Sequence, residues 1–327
     1  MYAHELAVAT DIVAEASRLA RQAQDAIVAA GAAVAKDDRS PVTLADLAIQ
    51  VVVSHRLAEY LPGDALLGEE SSDILRANPE LARGVLERVN SYVPGLDAAA
   101  IECCLDRGDA ASTARGRTWV LDPIDGTKGF LRGDHYAVAL ALVVDGKVVL
   151  GFLGCPNLAF EPGNPMGPRG VLFSAVRGRG ATVRAVDGGD VRPIATDDLV
   201  DPSRARFCES VESAHAAHSD QARIAQDLGI TAPHYRIDSQ CKYGIVARGE
   251  ASIYLRLPKR EDYREKIWDH AAGAIVVEEA GGRVSDLDGH PLDFSEGRLL
   301  GVHRGIVATN GHIHDRVLEA CRRVVGD

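Results

Sequence analysis

The longest apolar runs in this chain, residues 138–144 and 148–153, are strand-sized and are divided by Asp145-Gly146. Asp-Gly is a favoured two-residue turn because both central positions of such a turn take positive φ. Residues 136–144 and 147–153 therefore read as a β-hairpin. Neither run approaches the roughly 20 apolar residues of a membrane span. The chain has 327 residues, enough for two domains of ordinary size or one large one. A chain of this mass buries about three quarters of its surface on folding, so the fold itself requires neither metal nor disulfide.

Ahead of the hairpin, apolar residues recur every three to four positions from Leu6 to Ile27. This predicts a long amphipathic helix stopped by Gly31. A polar loop over 36–41 leads to a second helix from about Thr43 that carries Leu47, Val51 and Leu57. Residues 73–116 are more polar and suggest one short helix near 79–89 and a loose surface loop over 106–117. Strands are expected at 117–121, 171–176 and 181–186. Beyond a boundary near 196–206 helix and strand alternate, with helices at 220–228, 239–247, 267–280 and 312–325 and strands at 251–257 and 305–309. The expected organisation is an α+β domain over 1–205 followed by an α/β domain over 206–327.

Lys and Arg number 36 and Asp and Glu 47, leaving a net charge of −11. That argues against a broad nucleic-acid surface but leaves room for a small basic pocket for an anion. Hydrophobic content of 46% with 25% charged residues is the profile of a soluble globular protein, with no membrane partner. The six cysteines, at 103, 104, 155, 208, 241 and 321, are scattered, and the first residues lack a basic start followed by an apolar block. The expected compartment is the cytoplasm.

Acidic residues gather where elements end. Trp119-Val120-Leu121 runs into Asp122-Pro123-Ile124-Asp125-Gly126-Thr127. Pro123 and Gly126 turn the chain, and two carboxylates three residues apart can face one point. Hard cations such as Mg²⁺ take oxygen ligands of this kind, and a turn carbonyl such as that of Ile124 can add another. Taken alone, Asp-x-x-Asp is equally well a strand-ending turn. Glu69-Glu70, after the strand-like Ala65-Leu66-Leu67, reads alone as a solvated loop. Asp269 opens an apolar helix and reads alone as an N-cap, contributing about 1 kcal/mol. Thr43-x-x-Asp46 has capping-box spacing, with Asp in place of Glu. Its chemical reading is that Asp46 orients the hydroxyl of Thr127 to take a proton from water.

In this order and together, these segments resemble the inositol monophosphatase-like superfamily of metal-dependent phosphatases. Longer matches resemble its 3′(2′),5′-bisphosphate nucleotidase branch. They are Asp122 to Gly133, Val211 to His215, Asp238-Ser239-Gln240-Cys241-Lys242-Tyr243, Tyr254 to Pro258 and Glu265 to Gly273. The resemblance implies a layered αβαβα sandwich with the site between the two domains. It implies hydrolysis of the 3′-phosphate of adenosine 3′,5′-bisphosphate, and of the sulfate donor PAPS, with two or three Mg²⁺ ions and inhibition by Li⁺. Asp122 would bridge two metals, Glu69 and the Ile124 carbonyl completing one site and Asp125 and Asp269 the other. Thr127 and Asp46 would handle the attacking water, and Gly126 and Thr127 would meet the scissile phosphate. His215, Ser239, Lys242 and Arg256 would bind the nucleotide. Read for themselves, Ser239 can be a helix N-cap and Lys242 and Arg256 ordinary surface charges.

The chain departs from the branch at Ala216-Ala217, where serines are usual, and over 93–118, which has no clear counterpart and suggests a variable flap. Inositol phosphates are the alternative substrate class, and a silent nucleotide sensor is disfavoured because no acidic ligand is missing. Oligomeric state is not legible. His215-x-x-His218 lacks a third zinc ligand nearby, and Asp286-x-Asp288-Gly289 reads as a turn. D-x-x-D-x-T differs from the D-x-D-x-T of phosphatases that form an aspartyl phosphate, favouring direct attack by water.

Overall fold

The computed structural model describes residues 2–30, 40–110, 113–164, 166–211, 215–257, 264–301 and 304–326, with backbone alone for 30, 40–42 and 215–219. Two long helices, α1 (Ala3–Ala30) and α2 (Ser40–Tyr60), lead the chain. The apolar stripe of α1 is buried from Ala9 to Ala23, and the expected stop at Gly31 lies outside the described residues. α2 begins at Ser40, so Thr43 and Asp46 sit inside a helix and form no capping box.

Next come β1 (Ala65–Gly68), α3 (Asp73–Ala77), α4 (Pro79–Asn90) and α5 (Ala98–Asp106). β1 and α4 stand where the sequence suggests them, whereas α3 and α5 were not expected. Asn78 caps α4 by accepting from Leu81 N at 3.1 Å, with Pro79 in its first turn. α5 is short, and its Ile101 and Leu105 pack with Val51 and Val85 of the neighbouring helices. Within the 93–118 stretch, α5 is thus packed against α2 and α4. The described residues of 106–117 are also tied down: Gly68 N donates to Gly108 O and Ala110 N to Leu66 O, and the buried Thr113 hydroxyl donates to Phe294 O.

β2 (Arg117–Asp125), α6 (Thr127–Arg132), β3 (Ala137–Val144), β4 (Lys147–Ala159), β5 (Arg169–Val176), β6 (Gly180–Ala185) and β7 (Arg192–Ile194) follow. With β1 they form a seven-stranded sheet in sequence order, β1 and β2 parallel and the rest antiparallel. The hairpin turn stands where expected, with φ 49° at Asp145 and 76° at Gly146. Its first strand lacks hydrophobic alternation because both faces of the sheet are covered. Leu140, Leu142 and Phe152 face α1 and α2. Ala139, Ala141, Leu153 and Phe173 face the opposite way, toward α8 (Cys241–Ala247) and α9 (Ala271–Glu279).

The same two helices cover a second sheet of five strands, ordered β11-β12-β10-β8-β9. These are β8 (Phe207–Glu209), β9 (Tyr235–Arg236), β10 (Ile253–Arg256), β11 (Arg283–Ser285) and β12 (Ile306–Thr309). Its outer face packs Phe207, Leu255 and Val307 against Ile224 and Leu228 of α7 (His215–Asp227) and its border, and against Val317 and Leu318 of α10 (His314–Val325). The layers run α, β, α, β, α, as the resemblance implies. The expected helix over 267–280 is broken into a 3₁₀ turn (Ile267–Asp269) and α9, with His270 as N-cap. Asp286 accepts from Asp288 N and His290 N, forming the turn expected there.

Candidate active site

Parallel pairing of β1 and β2 sets Gly68 beside Leu121, so Glu69, just past the end of β1, comes beside Asp122 of β2. A register shift then places Asp122 opposite Ala139 and Asp125 opposite Ala137. Three steps on β2 are matched by two on β3. The extra residue returns Asp125 to the side of the sheet that Asp122 occupies, which simple alternation would forbid. Asp46 from α2 and Asp269 from the 3₁₀ turn complete the group. Ile124 keeps its side chain in the core beside α1 and α2, leaving its backbone to the acids.

These carboxylates oppose one another. Burial, then Glu70 and Glu69, raise the Asp46 carboxyl well above its usual range. Burial, then Glu69, Asp125 and Asp269, do the same to Asp122. Glu69, open to solvent on one side, is pushed up to about 7 by burial, Glu70 and Asp269, with Asp122 acting in the opposite direction. Asp125 reaches about 6 through burial and Asp269, with Lys242 acting in the opposite direction. One oxygen each of Asp46 and Asp122 is buried with no hydrogen-bond partner among the described residues. Unpaired buried oxygens on mutually repelling carboxylates fit a hard divalent cation, the partner such a set lacks.

Two glutamines that the sequence reading passed over hold the acids in place. Gln50 of α2, fully buried, accepts from Glu70 N at 3.0 Å and donates to Glu70 O at 2.7 Å. It crowds Gly68 so closely that a Cβ there would lie 2.5 Å from Gln50 Oε1. Gln240 bridges the other two segments. Its backbone N donates to Asp125 Oδ2 at 2.5 Å, its Nε2 donates to Trp268 O at 2.9 Å, and its Oε1 accepts from Gly273 N at 3.0 Å. Its partners lie 28 to 115 residues away in the chain, so no local pattern could reveal them.

A cavity of about 370 Å³ opens beside the acids, lined by Asp125, Gly126, Thr127, Ser239, Lys242, Arg256 and Asp269 among others. Gly126, at φ 94°, turns the chain into α6 against Ser239, where a side chain would meet Ser239 Cβ at 2.8 Å. Ser239 is itself left-handed at φ 66° and is not an N-cap: Gln240 occupies that position, and Ser239 Oγ accepts from Cys241 N. Strain of about 1–3 kcal/mol at such a residue persists only where its surroundings impose it. Lys242 is no surface charge. It is buried, its Nζ 3.2 Å from Ser210 Oγ and 5.3 Å from the Tyr254 ring centre, and burial lowers its pKa.

Arg256 is oriented by Glu265 at 2.7 Å and approaches Asp269 at 3.3 Å. Glu265 is drawn down to about 2: burial acts against ionisation but is outweighed by the His270 hydrogen bond and Arg256. His270 in turn meets Tyr243 OH at 2.8 Å. Glu265, His270 and Tyr243 were not foreseen as supports, although all three lie inside the motifs quoted above. Asp125, Gly126, Thr127, Ser239, Lys242, Arg256 and Asp269 thus share one cavity, with Asp46, Glu69 and Asp122 grouped against it. His215 opens α7, and its side chain lies outside the described residues.

The sequence profile of the inositol monophosphatase family matches residues 1–325. The chain belongs to this family. Two similar relatives are a 3′(2′),5′-bisphosphate nucleotidase of Oryza sativa, 44% identical over 99% of this chain and 95% of its own, and one of Emericella nidulans, 42% identical over 89% and 90%. Among solved structures, SuhB of Mycobacterium tuberculosis superposes with TM-score 0.62 at 24% identity, covering 99% of this chain and 98% of that one. Inositol monophosphatase from Anabaena gives 0.62 at 22%, covering 98% and 95%. Identities this low carry the fold alone. As a family member the chain keeps all six cysteines free and, among the described residues, no helix long and apolar enough to cross a membrane.

Proposed function

We propose that this chain is a Mg²⁺-dependent 3′(2′),5′-bisphosphate nucleotidase of the cytoplasm, converting adenosine 3′,5′-bisphosphate to AMP and phosphate and acting likewise on PAPS. One observation carries this reading. A single cavity joins an all-oxygen acidic cluster to a cationic wall made of Lys242 and Arg256. A substrate with two phosphates on one small body needs both ends. One phosphate lies against the acids, and the other against the cations. The relatives that bear this name are similar over nearly the full chain.

Two or three ions would be held by Glu69, Asp122 and the Ile124 carbonyl on one side and by Asp122, Asp125 and Asp269 on the other. When bound, Mg²⁺ supplies the positive charge that offsets these carboxylates, polarises the phosphate and acidifies a nearby water. The remaining chemistry belongs to the chain. Asp46, whose free oxygen is buried, accepts a proton through the Thr127 hydroxyl as water attacks phosphorus in line. The new P–O bond forms as the bond to the 3′-oxygen breaks. Backbone N–H groups after Gly126, which offers no side-chain cap of its own, face the phosphate. Lys242 and Arg256 hold the 5′-phosphate, with His215 and Ser239 on the nucleoside side.

Phosphate release from adenosine 3′,5′-bisphosphate and inositol 1-phosphate, measured side by side with Mg²⁺ and a Li⁺ titration, tests the reading. Strong preference for the nucleotide with Li⁺ inhibition is expected. Preference for the inositol phosphate would retain the acidic cluster and discard the nucleotide pocket. Activity on neither, with Mg²⁺ bound, would leave a sensor.

A further inference from the structure

The loop over 293–301, between β11 and β12, fastens the two halves of the chain at the acidic cluster. Phe294 and Leu300 anchor it in the core that both sheets share. Phe294 O accepts from the Thr113 hydroxyl, and Gly297 N donates to Thr113 Oγ1 at 3.2 Å. Residues 298–300 run antiparallel to 265–267: Ile267 N donates to Arg298 O at 3.2 Å and Leu300 N to Glu265 O at 2.9 Å. The backbone of Arg298 is thereby fixed beside the 3₁₀ turn that carries Asp269.

The Arg298 side chain then reaches across to the first sheet. Its guanidinium donates to Glu69 O at 3.2 Å, lies 4.8 Å from the centre of the Trp268 ring and pairs with Asp109 at 3.5 Å. Lys266 Nζ is 5.7 Å from the same ring centre. The peptide unit joining Glu69 to Glu70 is consequently held at both ends. Its carbonyl accepts from Arg298, and its N–H donates to Gln50 Oε1 at 3.0 Å. Because a peptide unit is planar, fixing its N–H and its C=O fixes the direction in which the chain leaves Glu69. On the other side, Arg298 packs on the ring of Trp268, the residue before Asp269, whose carbonyl Gln240 already holds. Arginine suits this place because one planar fork can donate and stack at once.

We propose that Arg298 is a positioning residue for the metal centre, holding the Glu69 backbone to the Trp268–Asp269 turn so that ligands carried by the two halves of the chain keep one spacing. The inference rests on the reading of Glu69 and Asp269 as metal ligands. The charge of Arg298 acts the opposite way. A guanidinium beside a cation site repels the ion, so by charge alone its removal would tighten binding. Positioning requires weaker binding, and the sign separates the two effects.

Titration of the metal-free full chain with Mn²⁺, read from the electron paramagnetic resonance signal of the free ion, tests this. Mn²⁺ takes the same oxygen ligands as Mg²⁺. Arg298→Ala should bind Mn²⁺ about 10–100-fold more weakly than wild type, the range found when a group that orients a metal ligand is lost. The Arg298 side chain is 37% exposed, so its removal leaves solvent rather than a buried void. Arg264→Ala is the control. Arg264 Nε donates to Leu300 O at 3.1 Å, so its loss loosens the same loop while leaving the Arg298 side chain in place. Its Mn²⁺ affinity should stay within about twofold of wild type. Both variants should melt in chelator in a single transition, which shows them folded. Equal or tighter Mn²⁺ binding by Arg298→Ala, or an equal loss in Arg264→Ala, would overturn the proposal. Binding that Asp122→Asn leaves unchanged would overturn the reading of the acids as a metal set, and this inference with it. Binding lost in Asp122→Asn but unchanged in Arg298→Ala would overturn the inference alone.

Discussion

Replacing Gln240 by Leu keeps the volume of the side chain and removes its amide. The backbone N–H of residue 240 still reaches Asp125, but Trp268 O and Gly273 N lose their partners at a position where Gln240 is 2% exposed. A buried polar group left unpaired costs about 1–3 kcal/mol, so two cost about 2–6 kcal/mol. That is a large share of the roughly 5–15 kcal/mol by which a native protein is stable. The functional cost has a different origin. Asp269 lies between the two orphaned groups in sequence, so freeing them frees its carboxylate relative to Asp125. A misplacement near 1 Å costs about a hundredfold in rate. Equilibrium urea unfolding should show a loss of at least about 2 kcal/mol. Phosphate release, at a temperature where the variant stays folded, should show kcat down by about two orders of magnitude. A variant within about 0.5 kcal/mol of wild type, with unchanged kcat, would refute this account of the clamp.

Asp122→Asn and Asp269→Asn should abolish turnover while leaving a folded protein; near-normal turnover in either would remove that residue from the proposed metal set. Lys242→Ala should mainly raise KM for the bisphosphate and spare a simple phosphomonoester, whereas an equal loss on both would place Lys242 in the chemistry instead. Carboxyls raised in the folded protein bind protons more tightly there than in the unfolded chain, where they titrate near 4. Their contribution to stability is present below that value and lost as pH rises through about 6 for Asp125 and about 7 for Glu69. The gap between melting temperatures in Mg²⁺ and in chelator should therefore widen from pH 5.5 to pH 8, and a gap that narrows would contradict the electrostatics. Gly68→Ala forces Gln50 to move and should cost about 1–3 kcal/mol while weakening Mg²⁺ dependence of activity, read from a Mg²⁺ titration.

The sequence carried the acids well and their supports badly. Asp122, Asp125 and Asp269 stand in short motifs whose order is distinctive, so a resemblance could assign them together. The bulge that returns Asp125 to the side of Asp122 could not be read from the motif, because it exists only against β3. Thr43 and Asp46 have helix-start spacing, yet α2 begins earlier, at Ser40, and the spacing alone cannot distinguish a first turn from a second. α5 was missed because its small apolar residues make a weak pattern, and its burial against α2 is a tertiary fact. β7, β9 and β11 are two or three residues long, too short for alternation to register. Read for itself Lys242 can be an ordinary surface lysine, and it was the resemblance that set it in the nucleotide pocket; its burial against Ser210 and Tyr254 is a fact of the fold.

α8 and α9 belong to the interior of both sheets at once. Tyr243, Ile245 and Ile275 pack in one cluster with Phe173 of the first sheet and Ile306 and Ala308 of the second. A cut between residues 205 and 206 would run through the chain between the sheets, but it would leave each piece with one side of a shared core exposed. The two halves should therefore melt as one cooperative transition, and neither fragment should fold alone. Amides of α8 and α9 should be among the slowest to exchange with deuterium, opening only when the whole molecule does. A substrate consequently meets a rigid wall on that side, and any breathing that admits it must come from the loops at the cavity mouth.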